Sequence, residues 1–139
     1  MFGDRGKLLI DTDIIIDHLR GQAMSTSLLK RIIIGDEFIG FYSAITEIEL
    51  FSAETIKDKQ VEDIMMLLGS MVRADVDSEV AQCAGRLLGK YRKSNGLEMA
   101  DAVIAATAIV HGIPVVSRNV KHYSFISGLI LTSPDILSP

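Results

Sequence analysis

The chain has one cysteine, no tryptophan and three prolines among 139 residues. A single thiol, Cys83, excludes an internal disulfide framework and any zinc site built from several cysteines. The histidines, His18, His111 and His122, are too scattered to read as zinc ligands. No apolar stretch approaches the roughly 20 residues that span a bilayer, so no membrane partner is expected. Positive charge is also scarce: 14 Lys and Arg stand against 18 Asp and Glu, a net charge of −4. Any nucleic-acid binding must therefore come from a local patch. The opening MFGDRGKLLID has only a short polar lead and an apolar run that ends on an acid, unlike a secretory signal. A cytoplasmic location is the expectation. No repeat, low-complexity tract or linker divides the chain, which predicts one domain over residues 1–139.

What is present is apolar periodicity: 48% of the residues are hydrophobic and 23% charged. KLLID (Lys7–Asp11) predicts a buried strand that runs into a helix over Thr12–Leu19, closed by Gly21. A second helix is predicted over Met24–Ile34. EFIGFYS (Glu37–Ser43) is a second strand, and Ser43 is placed to cap a helix over Ala44–Glu54. Lys57–Leu68 predicts a further helix, and MVRADV a short third strand. Asp77 or Ser78 starts a long helix to about Arg92, which Asn95-Gly96 breaks. The next helix lies in LEMADAVIAATAIVHG, Leu97–Gly112. IPVVS (Ile113–Ser117) is a fourth strand and GLILTS a candidate fifth. Strands separated by helices predict an α/β fold: a mostly parallel sheet of four or five strands, flanked by helices on both faces.

The acids carry the chemistry. Asp101 is the only charged residue from Met99 to Val110, and a carboxylate among apolar residues is costly unless bonded, paired or bound to a cation. A first-turn acid satisfied by free backbone N–H groups is the bland account. Asp11 ends the first strand, at the sheet edge where α/β sites form, and reads equally as a helix cap. Asp13 and Asp17, one turn apart, read as solvated or dipole-stabilised. Glu47 and Glu49 lie about 200° apart on one helix, so both cannot point at one place, and spacing alone selects neither. Acids from three distant segments at one sheet edge repel unless a cation lies between them. Oxygen-only ligands suit Mg²⁺ or Mn²⁺.

Three blocks, LLIDTDIIIDHLRG, SAITEIELFSA and MADAVIAATAIVHGIPVVSRNVKHY, resemble in their order the signature blocks of PIN-domain nucleases, in the branch of VapC-type toxins. The resemblance implies a small Mg²⁺-dependent ribonuclease with a PIN-like fold, acting on RNA, dimeric, and held inactive by a cognate VapB-type antitoxin. Carried over by residue, it implies Asp11, Glu49 and Asp101 as catalytic and metal-binding acids, choosing Glu49 over Glu47 through the pattern Thr46, Glu49, Leu50. It puts Asn119 at a fourth catalytic position where many members carry Asp and others Asn, which removes one charge and leaves an amide suited to orient water or a phosphate. Thr12 follows the first acid as in the family, and its hydroxyl suits a helix cap or a ligand. Arg118, Lys121 and His122 beside the site are candidate phosphate contacts, as is the KYRK run Lys90–Lys93, otherwise a solvated helix end.

Two other readings compete. LLIDTDII fits the opening of haloacid-dehalogenase-like phosphotransferases, with Asp11 as nucleophile and Asp13 as acid/base, yet after Lys121 the only acid is Asp135. A PIN-like module that binds RNA or a partner without catalysis is the second. RIIIG and VEDIMMLLGSM hold more apolar residues than one face of a small sheet needs, and read either as core or as partner surface.

Overall fold

In a computed structural model, which describes residues 6–35 and 37–137, five parallel strands form one sheet in the order β3-β2-β1-β4-β5. The strands are β1 (Gly6–Ile10), β2 (Phe38–Ser43), β3 (Val72–Ala74), β4 (Val115–Val116) and β5 (Leu131–Thr132). Helices α1 (Thr12–Leu19) and α2 (Ala23–Ile33) join β1 to β2, and α3 (Ala44–Leu50) and α4 (Asp58–Gly69) join β2 to β3. Then α5 (Ser78–Asn95) and α6 (Met99–His111) lead into β4, and a short α7 (Pro134–Leu137) follows β5. No helix among the described residues is long and apolar enough to cross a membrane.

The central strand explains the layering. Leu8, Leu9 and Ile10 are all buried because helices cover both faces of a parallel sheet. Successive side chains alternate: Leu9 packs with Val80, Ile104 and Val115 under α5 and α6, while Leu8 and Ile10 pack with Ile14, Leu28 and Ile64 under α1, α2 and α4. α6 is buried almost all round, as its alanines predict. Ala102, Ala105 and Ala106 are fully enclosed and let neighbouring backbones approach.

The ends of the elements are set by local chemistry. Asp11, Ser43 and Asp77 each cap a helix through a side-chain oxygen. Asp11 is thus the N-cap of α1, one residue beyond β1, and not the last residue of the strand as expected. α3 stops at Leu50, short of Glu54, because Ser52 Oγ takes the Glu49 carbonyl at 2.8 Å. α5 runs on to Asn95, past Arg92, until Gly96 turns left-handed at φ 71°. The apolar excess divides between the two readings offered for it. Ile32, Ile64, Leu67 and Leu68 are core, whereas Ile34 is 76% and Met66 75% exposed, with Ile33 and Met65 beside them also open.

Strand order reverses between β1 and β4. That switch point leaves a crevice beyond their carboxyl ends, where the functional side chains gather.

Gly40 lies where β2 crosses α2. A Cβ there would stand 2.7 Å from Ile32 Cγ2 and 3.2 Å from the Met71 thioether. Gly40→Ala should therefore destabilise by about 1–3 kcal/mol. Gly85→Ala, in an open stretch of α5 with nothing within 4 Å of the new Cβ, should stabilise by roughly 0.5–1 kcal/mol. Urea unfolding of both variants checks the pair of signs.

Candidate active site

At the switch point Asp11 is only 6% exposed. Its Oδ1 accepts from Thr12 N at 2.8 Å and its Oδ2 from Ser117 Oγ at 2.7 Å, so the ends of β1 and β4 are tied through this carboxylate. Burial raises its pKa to about 7, the Asp13 and Asp101 charges add to the effect, and the Ser117 and Tyr123 hydroxyls oppose it. Both accounts of Asp11 hold at once: it caps α1 and it is the buried carboxylate of the crevice.

A chain of hydroxyls sets the surroundings of Glu49 apart from those of Glu47. Thr12 Oγ1 donates to Glu49 Oε1 at 2.7 Å. Thr12 Oγ1 and Thr46 Oγ1 are 2.9 Å apart, and with the Thr12 proton committed to the carboxylate, Thr46 is the donor. Both threonines are buried. Thr12 therefore positions Glu49 and leaves the capping to Asp11. Glu47 turns elsewhere: it accepts from Tyr42 OH at 3.3 Å and lies 4.0 Å from Arg73.

Asp101 is not satisfied as an ordinary first-turn acid. Tyr123 OH donates to its Oδ1 at 3.2 Å, and His122 Nδ1 lies 3.6 Å from its Oδ2. Burial pushes the Asp101 pKa up. Tyr123 is 1% exposed, and burial, reinforced by the Asp11 and Asp101 charges, raises its phenol so that it stays a proton donor. Lys121 and His122 are exposed and share with Gly96, Leu97 and Phe125 a small cavity beside Asp101. The Lys90–Lys93 run does not line that cavity. Its charged members are solvated, and Lys90 Nζ sits 5.3 Å above the Tyr91 ring.

The turn after β4 departs from expectation. Arg118 is ion-paired with Asp17, so neither is simply solvated. Asn119 donates through Nδ2 to Asp13 Oδ2 at 2.9 Å, and Arg118 N–H reaches the same oxygen at 3.2 Å. Asp13 is half-buried, and burial raises its pKa. Sequence reasoning singled out neither Ser117 nor Tyr123 and read Asp13 as solvated or dipole-stabilised, whereas all three are bonded at the crevice. Only the position of Ser117 at the end of IPVVS signalled its place at the sheet edge.

Among the described residues no three His, Cys, Asp or Glu side chains are grouped closely enough to enclose an ion. Hydroxyls link the carboxylates instead: Ser117 to Asp11, Tyr123 to Asp101, Thr12 to Glu49. The donor set is nonetheless all oxygen, anionic and partly buried; burial first, and neighbouring carboxylates second, raise the Asp11 and Asp101 pKa values, and a hard cation would offset both.

The model of the PIN domain matches residues 8–125. Ribonuclease VapC19 of Mycobacterium tuberculosis is 34% identical over 116 residues, covering 83% of this chain and 90% of that protein. A toxin–antitoxin complex from Klebsiella pneumoniae superposes with a TM-score of 0.71 at 26% identity, over 91% of this chain and 97% of the other. The DNA-bound VapBC of Salmonella typhimurium gives 0.79 at 20% identity over 93% and 98%, a likeness of fold. These matches give no support to the phosphotransferase reading of Asp11 and Asp13.

The buried carboxylate predicts a pH dependence. Asp11 has a folded pKa of about 7 against an ordinary 3.8, so the native state holds its proton more tightly. The stabilisation is complete below the ordinary value and is lost as pH rises through 7. At about 1.4 kcal/mol per pH unit the loss is at most roughly 4 kcal/mol. In chelator, the wild type should melt lower at pH 8 than at pH 5, and Asp11→Asn should flatten the difference. Equal wild-type melting temperatures at the two pH values would refute the buried-charge account.

Proposed function

The chain belongs to the PIN-domain family, and we propose that it is a metal-dependent endoribonuclease, the cytoplasmic toxin of a VapBC-type toxin–antitoxin pair. The observation that carries the reading is the delivery of Asp11, Glu49 and Asp101 from three separate elements to the carboxyl end of one parallel sheet, each held by a buried hydroxyl. Asp11, Glu49 and Asp101 would hold Mg²⁺, or Mn²⁺ in its place. A bound divalent ion acidifies water and withdraws charge from a phosphate oxygen, the two needs of phosphodiester hydrolysis.

The protein's own groups do the positioning. Thr12, fixed by Thr46, presents Glu49, and Tyr123 fixes one oxygen of Asp101 while leaving the other toward His122. Ser117 anchors Asp11. Lys121 and His122, exposed beside Asp101, are placed to meet the RNA backbone. Arg118 would join them only by leaving Asp17. Asn119 acts through Asp13 and is not a ligand in this reading.

Partners follow from two surfaces. A groove between α1, α3 and α4 is lined by Ile16, Leu19, Leu50, Ile56 and Ile64, with Glu49 among its walls. It suits an amphipathic segment of a VapB-type antitoxin whose basic residue would compete with the cation for the carboxylates. The exposed Ile33 and Ile34 at the end of α2, with Met65 and Met66 on α4, suit the interface of a homodimer.

Asp11→Asn, Glu49→Gln and Asp101→Asn should each lose more of Mg²⁺-dependent RNA cleavage than the roughly 10–100-fold typical of an outer-shell change. Glu47→Gln, on the far side of α3, should cleave like the wild type. Full activity in Asp101→Asn would end the proposal, as would an intact, folded wild type inert on a mixed RNA pool with Mg²⁺ and Mn²⁺.

Light scattering should give a dimer at high micromolar concentration. A complex purified after co-expression with a neighbouring small reading frame should lack ribonuclease activity. Persistent activity in that complex would sink inhibition by occupancy of the groove.

A further inference from the structure

We propose that Asp13 supplies a fourth carboxylate to the site and that Asn119 is the positioning residue that holds it there. The inference rests on the metal-dependent reading above. It begins from an oddity in the turn after β4. Asn119 carries no charge, and its one bonded amide hydrogen goes to Asp13 Oδ2 at 2.9 Å. The Arg118 N–H meets the same oxygen at 3.2 Å, and Ser117 Oγ lies 3.4 Å from it. Ser117 Oγ is also the donor to Asp11 Oδ2 at 2.7 Å, so one hydroxyl stands between the two carboxylates. Asp13 therefore faces the same pole of the sheet as Asp11.

An acid in the first turn of a helix needs only the helix dipole and solvent. Asp13 instead draws donors from two successive residues, Arg118 and Asn119, across the switch point. Its Oδ1 is buried and has no hydrogen-bond partner. Such a carboxylate is costly as a structural latch alone, since a neutral amide at position 13 would also accept these bonds. Its charge has a use if it adds to the field that draws a cation to Asp11. The Asn119–Asp13 pair is an amide facing a carboxylate. Exchanging the two groups keeps an N–H···O bond and the total charge, and moves only the side of the contact on which the charge resides.

That exchange separates a site charge from a latch. Four proteins are compared: wild type, Asp13→Asn, Asn119→Asp and the double variant. Each is titrated with Mn²⁺ by calorimetry at pH 8 and melted with and without chelator. Asp13→Asn should keep its fold and lose about 10–100-fold in Mn²⁺ affinity. Asn119→Asp sets two carboxylates at the 2.9 Å contact, which should lower the metal-free melting temperature and enlarge the rise on adding Mn²⁺. The double variant should recover the metal-free melting temperature and an affinity within about threefold of wild type. Unchanged affinity in Asp13→Asn would overturn the proposal, and so would a double variant that binds as weakly as Asp13→Asn. The double variant carries the test even where Asp13→Asn alone melts early. A folded wild type that binds no Mn²⁺ would strike the metal-dependent reading itself, and this inference with it.

Discussion

The Asp11 carboxylate, at the end of the central strand, is the constraint around which the crevice is arranged. Removing a charged group from water is unfavourable unless every lone pair is answered. Here one oxygen is used by the first turn of α1 and the other by Ser117 at the end of β4. The same group therefore starts a helix and staples two strands at the point where the sheet reverses direction. Its neighbours oppose each other. Hydroxyls favour its charged form, while Asp13, Asp101 and burial disfavour it.

Much of the architecture was legible because parallel sheets announce themselves. KLLID and IPVVS are short continuous apolar runs, and the helices between them carry clear caps and glycine stops. Where the reading erred, the cause was a side chain competing with the helix for its own backbone. Ser52 ends α3 early by answering the Glu49 carbonyl, and nothing in the apolar period foretells that. Asp11 slid from strand to cap because a capping residue has extended backbone torsions and so looks like the last residue of a strand.

The site was less legible than the fold. Angular spacing separated Glu47 from Glu49 but did not choose between them. What distinguishes Glu49 is Thr12, 37 residues away, whose hydroxyl reaches across from α1 to α3. Tyr123 was passed over because an aromatic after a loop is ordinarily core, and it is core. Only its hydroxyl, at the end of a buried ring, belongs to the chemistry. Asp13 was read only as a first-turn acid for a similar reason. Its first-turn position is sufficient explanation until the turn after β4 closes over it. Periodicity describes how a segment meets its neighbours on average, and these residues act through single atoms.

The strand order also has a consequence in time. Ser117 and Asp11, whose hydrogen bond joins the two halves of the crevice, are 106 residues apart in the chain. β1 can pair with β2 once both are made, but its other edge stays open until β4 arrives. Closing so long a loop is entropically slow, and the contact cannot form before most of the chain has left the ribosome. Asp11 is thus solvated and unpaired by Ser117 through most of synthesis. The crevice is among the last parts of the molecule to be completed, so a truncated or half-made chain carries its acids without the contacts that gather them.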